Sequence, residues 1–211
     1  MLSINNVNVI RNHVLNFNDN STGRYYYKFV ALIRSKDYPD SNDQVLNCKQ
    51  GARELIVHQW LVGSIDRFDD LVDDMLTFVK LFKCRLYVTT DRKDVVKSVL
   101  YAKNKLNDVV DQLALGQLAV STKLLDRLVN GASSVSGASD RNGKRWLFDI
   151  DTKDETVVND IVTACGEYFI CCIPTVNGYH VVANKKFNGK AIKLPENVEL
   201  KENALTLVAK Y

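Results

Sequence analysis

The residues with the clearest chemical potential lie in one short segment, residues 145–151, which reads RWLFDID. Its apolar and aromatic residues predict a β-strand, and the side chains of a strand alternate between its two faces. Asp149 and Asp151 therefore share a face with Leu147, roughly 7 Å apart along the strand, and the aromatic residues share the other face. Two carboxylates at this spacing are suited to hold divalent cations that bind transferring phosphates.

The same two aspartates permit other interpretations. Asp151 precedes a predicted helix at 154–165, and an acidic side chain at a helix start can cap the free backbone N–H groups. A DxD pair also holds the metal and the nucleotide diphosphate in glycosyltransferases. Two further chemistries are excluded, because Lys153 replaces the threonine of haloacid-dehalogenase-like phosphatases and Asp154 replaces the glycine of a calcium loop. A cation site, a helix cap and a glycosyltransferase-type site remain open.

A histidine follows in the next predicted hairpin. The dipeptide Asn177-Gly178 is a tight-turn signal between predicted strands at 168–174 and 179–183. His180 comes directly after this turn. A half-buried histidine that is hydrogen-bonded within a sheet is the ordinary structural role for such a residue. Beside a strand that carries carboxylates, the same histidine is suited to contact a phosphate or to act as an acid.

The elements that must position these residues follow from the hydrophobic pattern. In the first 130 residues, aromatic and β-branched runs predict strands, and apolar residues spaced by three or four predict helices. We predict strands at 23–36 and 84–89, helices at 65–82, 93–105 and 113–128, and a loop at 37–51. Residues 131–144, GASSVSGASDRNGK, form the one shift in composition and are typical of a mobile loop or linker.

Beyond residue 144 the pattern becomes strand, helix, strand, strand, at 145–151, 154–165, 168–174 and 179–183. A last apolar run at 204–209 predicts an edge strand. The fold class is therefore α+β. We predict an N-terminal αβ module at 1–130, the linker at 131–144, and a compact C-terminal module at 145–211.

Composition and charge narrow the class of protein. Hydrophobic residues make up 46% and charged residues 25% of the 211, which is ordinary for a globular chain and excludes a disordered tail or a coiled-coil rod. The net charge of +3 is too small for a strongly basic nucleic-acid binder, but it allows a local basic patch.

The chain also lacks the patterns of membrane and zinc proteins. No apolar run approaches the roughly 18 residues of a spanning helix, and the first residues do not have the pattern of a signal peptide. The five cysteines form no CxxC pair and the three histidines are scattered, so no zinc site is predicted. We expect a cytoplasmic protein with reduced thiols and no membrane partner.

A hydrophobic strand that ends in DxD, followed by a turn and a histidine-bearing strand, resembles the archaeo-eukaryotic primase and primase-polymerase superfamily, and in particular its small phage or plasmid type. The specific part of the resemblance lies in 145–183 and rests on Asp149, Asp151 and His180. Looser similarity extends to RSKD at 34–37, CRLY at 84–87 and ALTL at 204–207.

The resemblance implies a primase-like split fold, in which a helix-rich αβ front module packs on an RRM-like back module and the active site lies in the cleft between them. It implies that Asp149 and Asp151 bind Mg²⁺ or Mn²⁺ and that His180 contacts the phosphates of a nucleoside triphosphate. Nucleotidyl transfer would follow the two-metal logic. Further contacts to the nucleotide or the nucleic acid are implied for basic residues, namely Arg34, Lys36, Arg85, Lys144 and Arg145.

The same resemblance implies the partners. They are a nucleoside triphosphate, a single-stranded DNA or RNA template, and a replicative helicase or another replication protein, because the chain shows no zinc module or helicase of its own. If the protein is phage-encoded, we expect it in the host cytoplasm.

The sequence departs from the family pattern at the third acidic strand. After His180 no hydrophobic-Asp strand appears, and Glu202 is the residue that can supply the third carboxylate to a metal. Two alternatives therefore stand beside an active primase-polymerase. One is a catalytically degenerate primase-fold protein that acts in nucleic-acid binding or protein interaction. The other is a metal-dependent transferase with a different nucleotide donor.

One expectation follows from the DxD pair alone. Because two adjacent carboxylates repel each other, we predict that Asp149→Asn removes cation-dependent nucleotide binding while it preserves or raises stability in the absence of metal.

Overall fold

The structure is a computed structural model that describes residues 2–34, 37, 54–116 and 138–211. In this part of the chain, all paired strands are antiparallel and form two sheets, accompanied by four α-helices. The α+β class predicted from the sequence is confirmed. Among the described residues, none of the helices combines the length and the hydrophobicity that a membrane-spanning segment needs.

Sheet A contains six strands: β1 (Ile4–Asn5), β2 (Tyr25–Arg34), β3 (Glu54–Val62), β4 (Arg85–Thr89), β5 (Lys93–Asp94) and β10 (Leu205–Lys210). Their order is β1-β10-β4-β2-β3, and β5 pairs with β2. Sheet B contains β6 (Arg145–Ile150), β7 (Phe169–Pro174), β8 (Tyr179–Asn184) and β9 (Val198–Glu202), in the order β7-β8-β6-β9.

The helices are α1 (Val7–Val9), which continues as a π-helical turn (Ile10–Val14), α2 (Ile65–Leu81), α3 (Val95–Ala114) and α4 (Glu155–Cys165). Side-chain caps start the longer ones, because the first N–H groups of a helix have no partner within it. Ser64 accepts from the backbone N–H of Arg67 at the start of α2. Asp94 accepts from the backbone N–H groups of the residues at 96 and 97 at the start of α3.

Most elements predicted from the hydrophobic pattern are confirmed to within two residues: β2, β4, β6, β7, β8, β10, α2 and α4. The helix predicted at 93–105 is longer than expected and runs to residue 114. Of the helix predicted at 113–128, the first two residues form the end of α3, and residues 117–128 lie outside the described part. The predicted loop at 37–51, apart from residue 37, and residues 131–137 of the linker also lie outside it.

The strand predicted at the C-terminus is not an edge strand. β10 lies inside sheet A between β1 and β4, with Ile4 opposite Lys210 and Leu205 opposite Thr89. Its four consecutive residues at 206–209 are all buried, so both faces of the strand are covered. In an edge strand with one face in solvent, every second residue would be exposed. The predicted C-terminal module therefore contributes sheet B and α4, while its last strand belongs to the sheet of the N-terminal module.

Sheet B has an outer face, which packs on α4, and an inner face, which is turned toward sheet A. Trp146, Phe148 and Ile150 lie on the outer face in one apolar cluster with Val158 and Ile161 of α4. The inner face contributes residues of β7 and β8 to the core beneath sheet A: Cys171, Ile173 and Val182. This is the alternation predicted for residues 145–151, and it turns Asp149 toward sheet A.

Candidate functional site

A cleft between the two sheets holds the predicted acidic and histidine side chains. Its cavity measures about 530 Å³. Leu32 and Tyr87 line it from sheet A, and Asp149, Asp151 and His180 line it from the sheet B side. The structure thus brings together the three residues on which the sequence pattern rests.

Asp149 and His180 are direct partners across the pair β6–β8. The Nε2 atom of His180 lies 3.2 Å from Oδ1 of Asp149. Its Nδ1 atom lies 3.0 Å from the hydroxyl oxygen of Thr206, which is on β10 of sheet A. The buried imidazole is therefore held at both nitrogens, and it links the carboxylate of sheet B to sheet A.

The second oxygen of Asp149 is bound by a lysine. Lys201 on β9 donates from Nζ to Oδ2 of Asp149 at 2.6 Å, and the same Nζ lies 2.9 Å from Oε2 of Glu199. The hydrogen bond from His180, followed by that from Lys201, holds the pKa of Asp149 well below its usual range. Burial alone would lower the pKa of Lys201, but its bonds to the two carboxylates raise it above the usual value.

Asp151 lies just beyond the end of β6, with an exposed side chain on the cleft. Its backbone N–H donates to the carbonyl of Asn197 at 2.9 Å. It does not cap the following helix, since Asp154 does so by accepting from the backbone N–H of Thr156 at 2.9 Å. The helix-cap interpretation therefore applies to Asp154 and leaves the carboxylate of Asp151 available to the cleft.

The structure does not bring Glu202 to Asp149. Glu202 is opposite Trp146 in the pair β6–β9, which places it on the outer face of sheet B, at the rim of the cleft. Its carboxylate forms ion pairs with Lys185 and with Lys190, the latter at 3.7 Å. The acid directly opposite Asp149 is Glu199.

A preformed metal cluster is not present among the described residues. Within them, no three side chains of His, Cys, Asp or Glu are grouped so that they could hold a metal ion. Two carboxylates nevertheless converge on one positive group, because Asp149 and Glu199 both contact Nζ of Lys201. This donor set of carboxylate oxygens is the kind that Mg²⁺ and Mn²⁺ prefer.

Two of the basic residues predicted to contact nucleotide or nucleic acid, Arg34 and Arg85, line the sheet A side of the cleft. Nε of Arg34 lies 2.8 Å from Oε1 of Glu54, and its guanidinium lies 5.3 Å from the centre of the Tyr87 ring. Arg85 is buried and donates to both carboxylate oxygens of Asp37, with 2.7 Å for the bond from Nε. Lys36 lies outside the described residues.

The other two residues predicted to contact nucleotide or nucleic acid, Lys144 and Arg145, do not line the cleft that holds Asp149 and Asp151. Lys144 and Arg145 line a neighbouring cavity of about 200 Å³ together with Lys185. Arg145 is buried, and its Nη1 donates to the backbone carbonyls of Val14 at 2.7 Å and Thr90 at 3.2 Å. These bonds give Arg145 a structural role, since it satisfies carbonyl groups of the N-terminal module.

The structural role of Arg145 can be tested by Arg145→Met, which replaces the aliphatic part of the side chain and removes its donors. Two carbonyl oxygens would lose a partner, and we expect a loss of about 2–3 kcal/mol in stability, measured by chemical unfolding. Arg141→Met is the matched control because Arg141 is exposed. Unchanged stability of Arg145→Met with weakened nucleic-acid binding would instead support the contact predicted from the sequence.

Three residues of the site were missed in the sequence: Glu199, Lys201 and Thr206. The alternation in VELKE, residues 198–202, was a usable signal, because it places Glu199 and Lys201 on one face. Which face that is depends on the register with β6, and the local sequence does not specify this register. Thr206 reaches His180 only because β10 crosses into sheet A.

Comparison of the chain with models of known protein families finds no match, and searches of the curated proteins and of the solved structures find no significant match either.

Proposed function

We propose that this protein is a primase-polymerase-like nucleotidyltransferase that binds a nucleoside triphosphate and a divalent cation in the cleft between its two sheets. The observation that carries the proposal is the pair formed by Asp149 and His180 on the cleft wall, with the free carboxylate of Asp151 beside it. A metal-binding acid and a phosphate-binding histidine need this proximity to act on one nucleotide.

The topology of sheet B supports the primase-like split fold. Its strands β6, β7, β8 and β9, with α4 after the first, follow the RRM order, in which the first and third strands are central and the fourth and second are at the edges. It departs from the RRM pattern before β9, where the described chain has a 3₁₀ turn (Gly189–Ala191) instead of a second helix.

The acids of the cleft would hold Mg²⁺ or Mn²⁺. We assign this role to Asp149, Asp151 and Glu199, with Glu199 in place of Glu202. The cation would supply positive charge against the phosphate oxygens during transfer. His180 and Arg34 would bind the triphosphate, and for this His180 would exchange its bond to Asp149 for one to a phosphate oxygen. Arg85, which is bound to Asp37, would hold the sheet A side of the cleft in place.

The proposed reaction extends a strand paired with a single-stranded DNA or RNA template. The 3′-hydroxyl oxygen of the strand forms a bond to the α-phosphorus, the bond from that phosphorus to the bridging oxygen of the β-phosphate breaks, and pyrophosphate leaves. The proton of the hydroxyl passes to water. A replicative helicase or another replication protein would deliver the template.

A second candidate is a degenerate primase-fold protein that binds nucleic acid without catalysis. The ion pair between Lys201 and Asp149 favours it, because the acid expected to hold metal is already neutralised by the protein. A third alternative is a transferase with another nucleotide donor, such as a nucleotide sugar. Comparison of the binding of a nucleoside triphosphate with that of a nucleotide sugar distinguishes it from the primase-polymerase-like protein.

The test is thermal unfolding with Mn²⁺ alone, nucleoside triphosphate alone, and both, for the wild type and Asp151→Asn. Ligand at about 100 times its dissociation constant adds roughly 2.7 kcal/mol, or about 5–10 °C for a domain of this size. We expect this shift only with both ligands, and we expect Asp151→Asn to lose it. Asp160→Asn is the control, because Asp160 is an exposed acid on α4.

No shift in the wild type under any condition would contradict nucleotide binding and favour the degenerate protein. A shift with a nucleotide sugar that exceeds the shift with the triphosphate would favour the alternative transferase.

A further inference from the structure

We infer that Lys201 is a movable counter-ion, which neutralises Asp149 and Glu199 in the ligand-free protein and transfers to the triphosphate when a divalent cation and a nucleotide bind together. This inference rests on the proposed function and adds a role that the sequence pattern does not contain.

The first step is the position of the ammonium group. Nζ of Lys201 lies 2.6 Å from Oδ2 of Asp149 and 2.9 Å from Oε2 of Glu199. The other oxygen of Asp149 faces His180 at 3.2 Å. A cation that binds Oδ2 of Asp149 together with Oε2 of Glu199 must therefore take the position that Lys201 now holds.

The second step is the local charge. Asp149 and Glu199 carry two negative charges and Lys201 carries one positive charge. A divalent cation between the carboxylates would repel an ammonium group that stayed in contact with them. Binding of the cation alone must therefore drive Lys201 into solvent, where it loses both ion pairs and gains no other.

The third step is that Lys201 is able to move. It lies on β9, at the edge of sheet B in the described part of the chain. Its side chain is 37% exposed, and that of Glu199 is 72% exposed. The flexible stem of a lysine and its compact charge suit it to follow a phosphate from one position to another. The cleft that the lysine lines is the one in which we place the nucleotide.

These steps make the binding of the cation and the nucleotide cooperative. The nucleotide gives the displaced ammonium group a new partner. The cation therefore raises the affinity for the nucleotide, and the nucleotide raises the affinity for the cation by the same factor. Removal of Lys201 should therefore raise the affinity for the cation alone and lower the affinity for the nucleotide.

The experiment measures Mn²⁺ binding by the electron paramagnetic resonance of free Mn²⁺, and nucleotide binding by calorimetry with a non-hydrolysable nucleoside triphosphate. We expect Lys201→Gln to bind Mn²⁺ alone about tenfold more tightly than the wild type, and the triphosphate with Mn²⁺ about tenfold more weakly, within the usual range of coupling between sites. Lys193→Gln is the control for lost charge, because Lys193 is exposed.

A second variant keeps the test decisive if Lys201→Gln folds poorly. Lys201→Met removes the charge and keeps the apolar stem, and we expect it to bind Mn²⁺ alone about tenfold more tightly than the wild type. Lys201→Arg retains the positive charge, and we expect its affinity for Mn²⁺ alone to stay as low as in the wild type. If the wild type binds the triphosphate with Mn²⁺ and loss of the Lys201 charge leaves the affinity for Mn²⁺ alone unchanged, the counter-ion role is overturned and the proposed function stands. If neither the wild type nor the variants bind Mn²⁺ or the triphosphate, both are overturned.

Discussion

Gly178→Ala is expected to destabilise the protein by about 3 kcal/mol or more, which lowers the unfolding temperature by roughly 10 °C. A Cβ at this position would overlap the backbone carbonyl oxygen of Ile150 and lie 2.5 Å from that of Thr152. Both obstacles are main-chain atoms, so no side-chain rotation can relieve them. Thermal unfolding followed by circular dichroism measures the effect.

The effect of Gly178→Ala should reach the site as well as the fold. Gly178 lies in the turn that precedes β8, two residues before His180. The obstacles belong to the end of β6 and the residues just after it, next to Asp149 and Asp151. The matched control is Gly63→Ala, whose new Cβ would meet its nearest neighbour at 3.8 Å. If both variants unfold at the same temperature, the close packing of this turn is not important for stability.

Asp149→Asn is expected to lower stability at pH 7 by about 2 kcal/mol, between the values for exposed and buried ion pairs. The prediction from the DxD pair alone had the opposite sign, because it considered only repulsion by Asp151. The structure shows that Lys201 donates to Asp149 and that His180 lies 3.2 Å from it. The variant leaves a lysine and a histidine without their common anionic partner, and denaturant unfolding measures the loss.

The pH dependence of this difference identifies the carboxylate as its source. The pKa of Asp149 is held below its usual range in the folded protein, so its contribution is fully present above the unfolded value of about 3.9. As the pH falls below about 5, the unfolded chain takes up the proton first and the contribution is progressively lost. The difference between the wild type and Asp149→Asn should therefore shrink as the pH falls below about 5.

Asp69→Asn is the control for an ordinary surface ion pair. Asp69 binds Arg11 at 2.6 Å, with both side chains more than 40% exposed, so its removal should cost less than about 1 kcal/mol. If Asp149→Asn is as stable as the wild type at pH 7, the interactions with His180 and Lys201 contribute nothing net, and repulsion by Asp151 dominates after all.

The two large predictions depend on different kinds of information. The importance of Gly178 was visible in part from the sequence, because Asn177-Gly178 marks a turn. That the turn lies against the end of β6 was not visible, since it depends on the contact of distant segments. The stabilising role of Asp149 depends on Lys201, which is 52 residues away in the chain.

The α+β class, eight of the strands and helices, and the faces of the strand at 145–150 could be predicted from the sequence, because periodicity and turn residues act locally. Asp149, Asp151 and His180 were grouped through the resemblance of their pattern to the primase superfamily, because α4 and β7 separate β6 from β8 in the chain and periodicity does not specify that β6 and β8 pair. The place of β10, the position of Glu199 instead of Glu202 opposite Asp149, and the contacts of Lys201 and Thr206 depend on the tertiary structure. Each depends on strand order or on the register between strands that are distant in sequence, and a shift of one residue moves every side chain to the opposite face.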